Sequence, residues 1–399
     1  MFSSDILQRY ADVLVWAINS SRSVPLGPGD IAMVRFDIAA VDLAEAVHKR
    51  MVERGIHTLH RLNRTPGMEH DFYDSASQDQ LRFVAPGVRE MNEKLNATVH
   101  LLAPDALTHL ADIDPARIAD VARARKPMRD ILERREQQDD FSWTLCLYPT
   151  LELAEKAGMS LTEYAAQVAK ACYLDIPDPV ARWEELSAHM RELRAWLDGM
   201  DIASLRVESD NVDLTVMPGE RRRWLGLTGH NIPSFELYLS PDWRGTRGTY
   251  YADQPSYRGG NYVEKVRLWF EEGRVIRSEA LVGEQFLKDQ IGMDTGSDKL
   301  GEFSLTDKRF SSIDRFMAMT LFDENFGGGE GNCHVALGAS YPATFSGLQA
   351  ELNAESKKAL GFNASALHWD LVNTERKAVT ARLATGQSRV IYENGEFAF

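Results

Sequence analysis

Ile31-Ala32-Met33-Val34-Arg35-Phe36, preceded by the turn formers Pro28-Gly29, is the stretch on which the fold of the first half depends. A short, mostly apolar run behind a turn reads as a buried strand. The segment that follows, Asp42 to Arg54, places Leu43, Val47 and Met51 at i, i+4, i+8 and runs into Gly55, which accepts the left-handed conformation in which helices end. The same grammar recurs downstream. Ala97-Thr98-Val99-His100-Leu101-Leu102 and Trp143-Thr144-Leu145-Cys146-Leu147-Tyr148 are β-like runs separated by helical sequence, and such alternation predicts an α/β unit with a mostly parallel sheet. Upstream, MFSSDILQRYADVLVWAINSS reads as an amphipathic helix with Ile6, Tyr10, Leu14 and Ala17 on one stripe, and it lacks the basic region and continuous apolar core of a secretory signal. A long helix from about Pro179 to Leu197 closes this half: Val180, Trp183, Leu186, Met190, Leu193 and Leu197 form its apolar stripe and Gly199 its stop.

After residue 200 the pattern changes to hairpins. Leu205-Arg206-Val207 and Val212 to Val216 flank Asp210-Asn211, and Val263 to Phe270 and Val275-Ile276 flank Glu272-Gly273. The chain has 399 residues, more than the roughly 250–300 at which one core stops growing. Two domains are therefore expected: an α/β domain with a mostly parallel sheet over 1–200, and an α+β domain rich in antiparallel strands over 201–399.

Composition narrows the class. Hydrophobic residues at 44% and charged residues at 26% describe a folded, water-soluble chain. No apolar run approaches the roughly 20 residues of a membrane span. A net charge of −14 opposes binding to nucleic acid or anionic lipid. The three cysteines, Cys146, Cys172 and Cys333, are far apart and form no C-x-x-C pair, so neither a disulfide framework nor a thiolate zinc site is indicated. The cytoplasm is the expected compartment.

Chemistry gathers in the second half. In Leu367-His368-Trp369-Asp370-Leu371-Val372 a strand would put His368 and Asp370 on one face and Trp369 on the other; the imidazole and carboxylate then either pair with each other or share a ligand. Gly327-Gly328-Gly329-Glu330-Gly331-Asn332 precedes a short strand carrying Cys333 and His334. Such glycine density lets backbone approach another group closely, and no Gly-Lys-Ser/Thr follows to make it a phosphate loop. Cys333 and His334 are adjacent in a strand and face opposite ways, which disfavours a Cys–His dyad. Glu236, in His230-Asn231-Ile232-Pro233-Ser234-Phe235-Glu236-Leu237-Tyr238, and Glu302, in Leu300-Gly301-Glu302-Phe303-Ser304-Leu305, are carboxylates inside apolar runs. Burial requires that each have a partner, either a metal ion or an arginine.

The motifs H-N-I-P-S-x-E, L-G-E-F-S-L, L-F-D-E-N-F…H-V-A-L-G-A-S-Y-P and H-W-D-L-V, in this order, resemble those of the M29 family of metallo-aminopeptidases, the thermophilic aminopeptidase T group. The resemblance covers the second half and, more weakly, the first. It implies an α/β domain for access and dimer contacts, a catalytic domain with two divalent metal ions, and a homodimer enclosing its active sites. Carried over residue by residue, it implies metal ligation by Glu236, Glu302, Glu324, His334, His368 and Asp370, with Glu302 bridging, and a catalytic role for Tyr341. Two departures stand out: Phe235 occupies the position of a common family glycine, where its ring could narrow the pocket or displace Glu236, and the Gly327 to Asn332 insertion lies just before His334.

Oxygen and nitrogen donors of this kind suit Zn²⁺, Co²⁺, Mn²⁺ or Mg²⁺. The expected reaction is removal of N-terminal residues from short peptides by activated water, with Glu302 accepting the proton and Tyr341 donating to the oxyanion. A two-metal phosphoesterase would use similar ligands, but no basic cluster adjoins the motifs to clamp phosphate. A noncatalytic binding relative is the remaining alternative.

Overall fold

The computed structural model describes residues 2–399. The chain forms two compact units: one runs to Trp183 and takes back Thr228–Pro233, and the other comprises Glu184–Leu227 and Ser234–Phe399. The first division falls inside the helix Pro179–Asp198 rather than near residue 200.

In the first unit a five-stranded sheet runs in the order His57–Leu62, Ile31–Phe36, Ala97–Leu102, Ser142–Leu147, Asn231–Ile232, every pair parallel. Ala32, Met33 and Val34 are buried, as are Ala97, Val99 and Leu101. A parallel strand covered on both faces needs such continuous apolar sequence. The edge strand His57–Leu62 is mostly exposed and carries His57, His60 and Arg61, which discourage further pairing. Helix Ser4–Ser20 starts where the Ser3 hydroxyl accepts from the Ile6 N–H, and it buries Tyr10, Leu14 and Ala17. The Tyr10 hydroxyl donates to the Leu147 carbonyl at 2.9 Å, tying this helix to the sheet. Helix Val41–Val52 buries Leu43, Val47 and Met51, and the chain turns at Gly55 with φ +75°.

The second unit holds two larger antiparallel sheets. The eight-stranded one runs Arg274–Glu279, Val266–Glu271, Arg247–Ala252, Asp213–Val216, Ile202–Glu208, Ala378–Leu383, Ser388–Glu393, Glu396–Phe397. Both expected hairpins are in it, with one difference. The apolar run from Val263 to Phe270 is broken at Lys265, whose φ is +54°, so Val263 ends a separate strand, Asn261–Val263, that pairs with Ser256–Arg258. The four-stranded sheet runs His368–Asn373, Asn332–Gly338, Leu300–Thr306, Glu236–Leu239. All seven residues of each central strand are buried. The Tyr250 hydroxyl, from the larger sheet, lies 3.0 Å from the Cys333 carbonyl and 2.7 Å from that of Leu371. Among the described residues no helix is long and apolar enough to cross a membrane.

Candidate metal centre

Register gathers the polar side chains on one face of the four-stranded sheet. Glu302 is paired with Ala336 and Ala336 with Asp370, while Ser304 is paired with both His334 and Tyr238, Gly338 with His368, and Thr306 with Glu236. Partners in register project to the same side, and so do residues two apart along a strand. Glu236, Glu302, Ser304, His334, His368 and Asp370 therefore share a face. The other face carries Leu237, Phe303, Leu305, Cys333, Val335, Trp369 and Leu371, all buried. One strand thus supplies both core and chemistry by simple alternation.

A register shift between Leu300 and Glu302 shapes the centre. Gly301 sits in it, and a Cβ there would lie 2.2 Å from the Ala339 carbonyl oxygen. The strand bends where glycine permits close approach, which is how a bulge re-aims a neighbouring side chain.

The resulting cluster is tight. His334 Nε2 lies 3.2 Å from Glu236 Oε2, 3.4 Å from Glu302 Oε1 and 4.0 Å from Asp370 Oδ1. His368 Nε2 lies 3.4 Å from Glu302 Oε2 and 3.5 Å from Asp370 Oδ1. Two groups of potential ligands result, Glu236–Glu302–His334 and Glu302–His368–Asp370, each with its donor atoms within 4.8 Å of one another. His368 Nδ1 lies 3.0 Å from the Ala339 carbonyl oxygen, a contact that selects the tautomer presenting Nε2 to the centre.

Electrostatics sharpen the picture. Burial pushes the Glu236 carboxyl up, and it pushes Glu324 up further, with Glu236 and Asp370 adding to the effect. Burial disfavours the cation of His334, but Glu236 and Glu302 outweigh it and hold that imidazole well above its usual range. His368 is raised likewise by Asp370 and Glu302, and in return it brings Asp370 down to about 2 despite burial. Three carboxylates, Glu236, Glu302 and Asp370, thus meet two imidazoles in a poorly hydrated place, while Glu324 lies in neither ligand group but is near enough for their charges to act on it. Protons on the imidazoles satisfy part of this charge; divalent cations, taking oxygen and nitrogen donors, would satisfy it more fully. The donor set fits such ions.

Glu324 caps the short helix Thr320–Asp323. Its backbone carbonyl accepts from the Thr306 hydroxyl at 3.3 Å and from Asn332 Nδ2 at 3.0 Å. The glycine-rich segment is a packed turn: Gly331 N donates to the Gly327 carbonyl at 2.7 Å, and a Cβ on Gly327 would meet the Ser311 carbonyl oxygen at 2.4 Å. His334 follows it in a regular strand. Phe235 is fully buried, its N–H donating to Asn325 Oδ1 at 2.6 Å, and Glu236 faces His334 beside it.

Tyr341 stands where the centre opens. It is 41% exposed while Glu302 is 3% exposed, and its ring lies 4.6 Å from that of His368. Although the residue is partly exposed, its hydroxyl end is shielded from water, and that desolvation, then Glu302 and Asp370, push it well above the ordinary phenol range, so it is a proton donor at neutral pH.

Three supporting residues escape sequence reasoning. The Ser304 hydroxyl donates to Glu236 Oε2 at 2.8 Å; its position two after Glu302 was the available signal. Asn325 holds the Phe235 N–H. Arg258, from a separate hairpin, donates to the His368 carbonyl at 2.7 Å and its charge favours ionised Asp370; nothing local marks it.

Aminopeptidase AmpS of Bacillus subtilis is 28% identical over 308 residues, covering 73% of this chain and 74% of that protein. Aminopeptidase 2 of Geobacillus stearothermophilus is 25% identical over 415 residues, covering 98% of each. The structure of wild-type AmpT from Thermus thermophilus superposes with a TM-score of 0.81 at 20% identity, covering 98% of this chain and 99% of that one, and so shares the fold. The profile of the thermophilic metalloprotease (M29) family matches residues 3–397. The chain belongs to the thermophilic metalloprotease (M29) family.

Proposed function

We propose that this protein is an aminopeptidase that removes N-terminal residues from short peptides, using two divalent ions held by Glu236, Glu302, Glu324, His334, His368 and Asp370. One observation carries the reading: the two oxygens of Glu302 face separate partners, Oε1 at 3.4 Å from His334 and Oε2 at 3.4 Å from His368. A single carboxylate shared by two ligand groups is the arrangement a paired centre requires. Relatives named as aminopeptidases, among them AmpS and aminopeptidase 2, support the choice of reaction.

When bound, such ions supply Lewis-acid polarisation and lower the pKa of water from about 15.7 toward roughly 7. The remaining work belongs to the chain. Ser304 fixes one oxygen of Glu236, and Ala339 fixes the ring of His368, so the ligands are oriented before substrate arrives. Glu302 lies centrally enough to accept a proton from water, although a bridging role competes with that use. Tyr341, protonated and at the open side, donates a hydrogen bond where the oxyanion develops.

The reading is tested with a panel of aminoacyl-anilides, their N-acetylated forms and phosphoesters. Hydrolysis of the free-amine anilides alone is expected. Turnover of phosphoesters without turnover of anilides would replace it with the phosphoesterase reading.

A further inference from the structure

Three neighbouring strands of the parallel sheet carry a row of basic residues. Arg35 on Ile31–Phe36 is in register with Arg61 on His57–Leu62 and with His100 on Ala97–Leu102. Register partners in adjacent parallel strands project from the same face about 4.8 Å apart, so the row spans roughly 10 Å close to the carboxyl ends of the strands. Met33, two residues before Arg35 on the same face, is buried in a cluster with Leu132 of the helix Pro115–Gln137. That helix returns Arg125, seven residues from Leu132 and hence about two turns along the same stripe, toward the row: its charge and that of Arg61 both act on Arg35.

These groups lack protein partners. Among the described residues the side chains of Arg35, Arg61, His100 and Arg125 make no hydrogen bond or ion pair, and Arg35 Nε is buried without an acceptor. Acid is not scarce, since the chain has 59 acidic against 45 basic residues. The acid whose charge reaches Arg35, Asp37, is committed elsewhere: its oxygens accept from Asn63 Nδ2 at 2.8 Å and from the Ala103 N–H at 2.7 Å. Burial and Arg35 bring His100 down to about 4, which leaves a neutral imidazole able to donate one hydrogen bond at pH 7.

We propose that Arg35, Arg61, Arg125 and His100 form a binding site for a small oxyanion, a phosphate or a carboxylate group, at the carboxyl ends of the parallel strands. In open parallel sheets ligands bind at that end, and guanidinium forks match both anions by paired hydrogen bonds. The site lies within the first unit and shares no residue with the metal centre.

Calorimetric titration of the metal-loaded protein with inorganic phosphate, and separately with succinate, tests this at constant ionic strength. Wild type should show saturable binding of at least one anion. Arg61→Gln/Arg125→Gln, altering two exposed positions, should weaken it about ten-fold or more, because each lost charge-assisted hydrogen bond is worth at least about one decade. Peptidase activity without added anion and metal content should be unchanged in that variant. Arg35→Lys, which keeps the charge and loses the fork, should weaken binding as well. Preference for phosphate or for succinate identifies the source of the oxyanion. Equal affinity in wild type and the double variant, or no saturable binding of either anion, would overturn the proposal. So would loss of self-association in the double variant by light scattering, since carboxylates of a second copy would then be the partners.

Discussion

Lys377, just before the strand Ala378–Leu383, is 3% exposed and its Nζ has no hydrogen-bond partner among the described residues. Burial brings its pKa from 10.5 to about 8, against the pull of Cys333, Asp253 and Glu375. Because the folded value is depressed, the unfolded chain holds a proton that the folded chain has released between about pH 8 and 10.5. Stability therefore rises with pH across that window and is lost again as pH falls toward the folded pKa. At about 1.4 kcal/mol per pH unit, the displacement corresponds to about 3 kcal/mol of destabilisation at pH 7. Lys377→Met keeps most of the apolar stem and removes the charge. It should be more stable than wild type by up to about 3 kcal/mol at pH 7, and the gap should shrink to below about 1 kcal/mol by pH 10. Urea unfolding of both proteins at the two pH values, followed by tryptophan fluorescence with metal content matched, measures the gap. A variant less stable than wild type at pH 7, or a gap that does not change with pH, would refute the reasoning.

Other consequences concern the metal centre and assembly. Tyr341→Phe keeps the ring against His368 and removes the donor; kcat should fall about 10²–10³-fold with KM and bound metal nearly unchanged, and unaltered kcat would make the tyrosine structural. Asp370→Asn removes a charged ligand, so elemental analysis should find reduced metal occupancy, and full occupancy would remove Asp370 from the ligand set. The family resemblance implies a homodimer, for which light scattering should give twice 44.9 kDa; the monomer mass in an active sample would exclude it.

Periodicity made parts of the fold legible. Ile31–Phe36 reads correctly because the doubly covered centre of a parallel strand, here Ala32–Val34, must be apolar, and His368-x-Asp370 reads correctly because alternation places both side chains on one face. Other features depend on partners distant in sequence. The stripe of Pro179–Asp198 is continuous, yet the helix serves two units: Trp183 stacks on Trp16, 6.0 Å between ring centroids, in the first, while the residues from Glu184 onward belong to the second. No local pattern records that exchange. His230 to Tyr238 reads as one run but is two elements, Asn231–Ile232 in the parallel sheet and Glu236–Leu239 in the antiparallel one. A strand of two residues has no periodicity to read. Arg258 reaches the centre through a tertiary contact from another hairpin, which adjacency in sequence cannot show.

The most direct test of the account is metal dependence measured on one preparation. After exhaustive chelation, verified by elemental analysis, hydrolysis of aminoacyl-anilides should be lost. Adding back Zn²⁺, Co²⁺, Mn²⁺ or Mg²⁺ singly should restore it, with activity saturating as two ions bind per chain. Full activity in protein shown to contain no divalent metal would contradict the central claim.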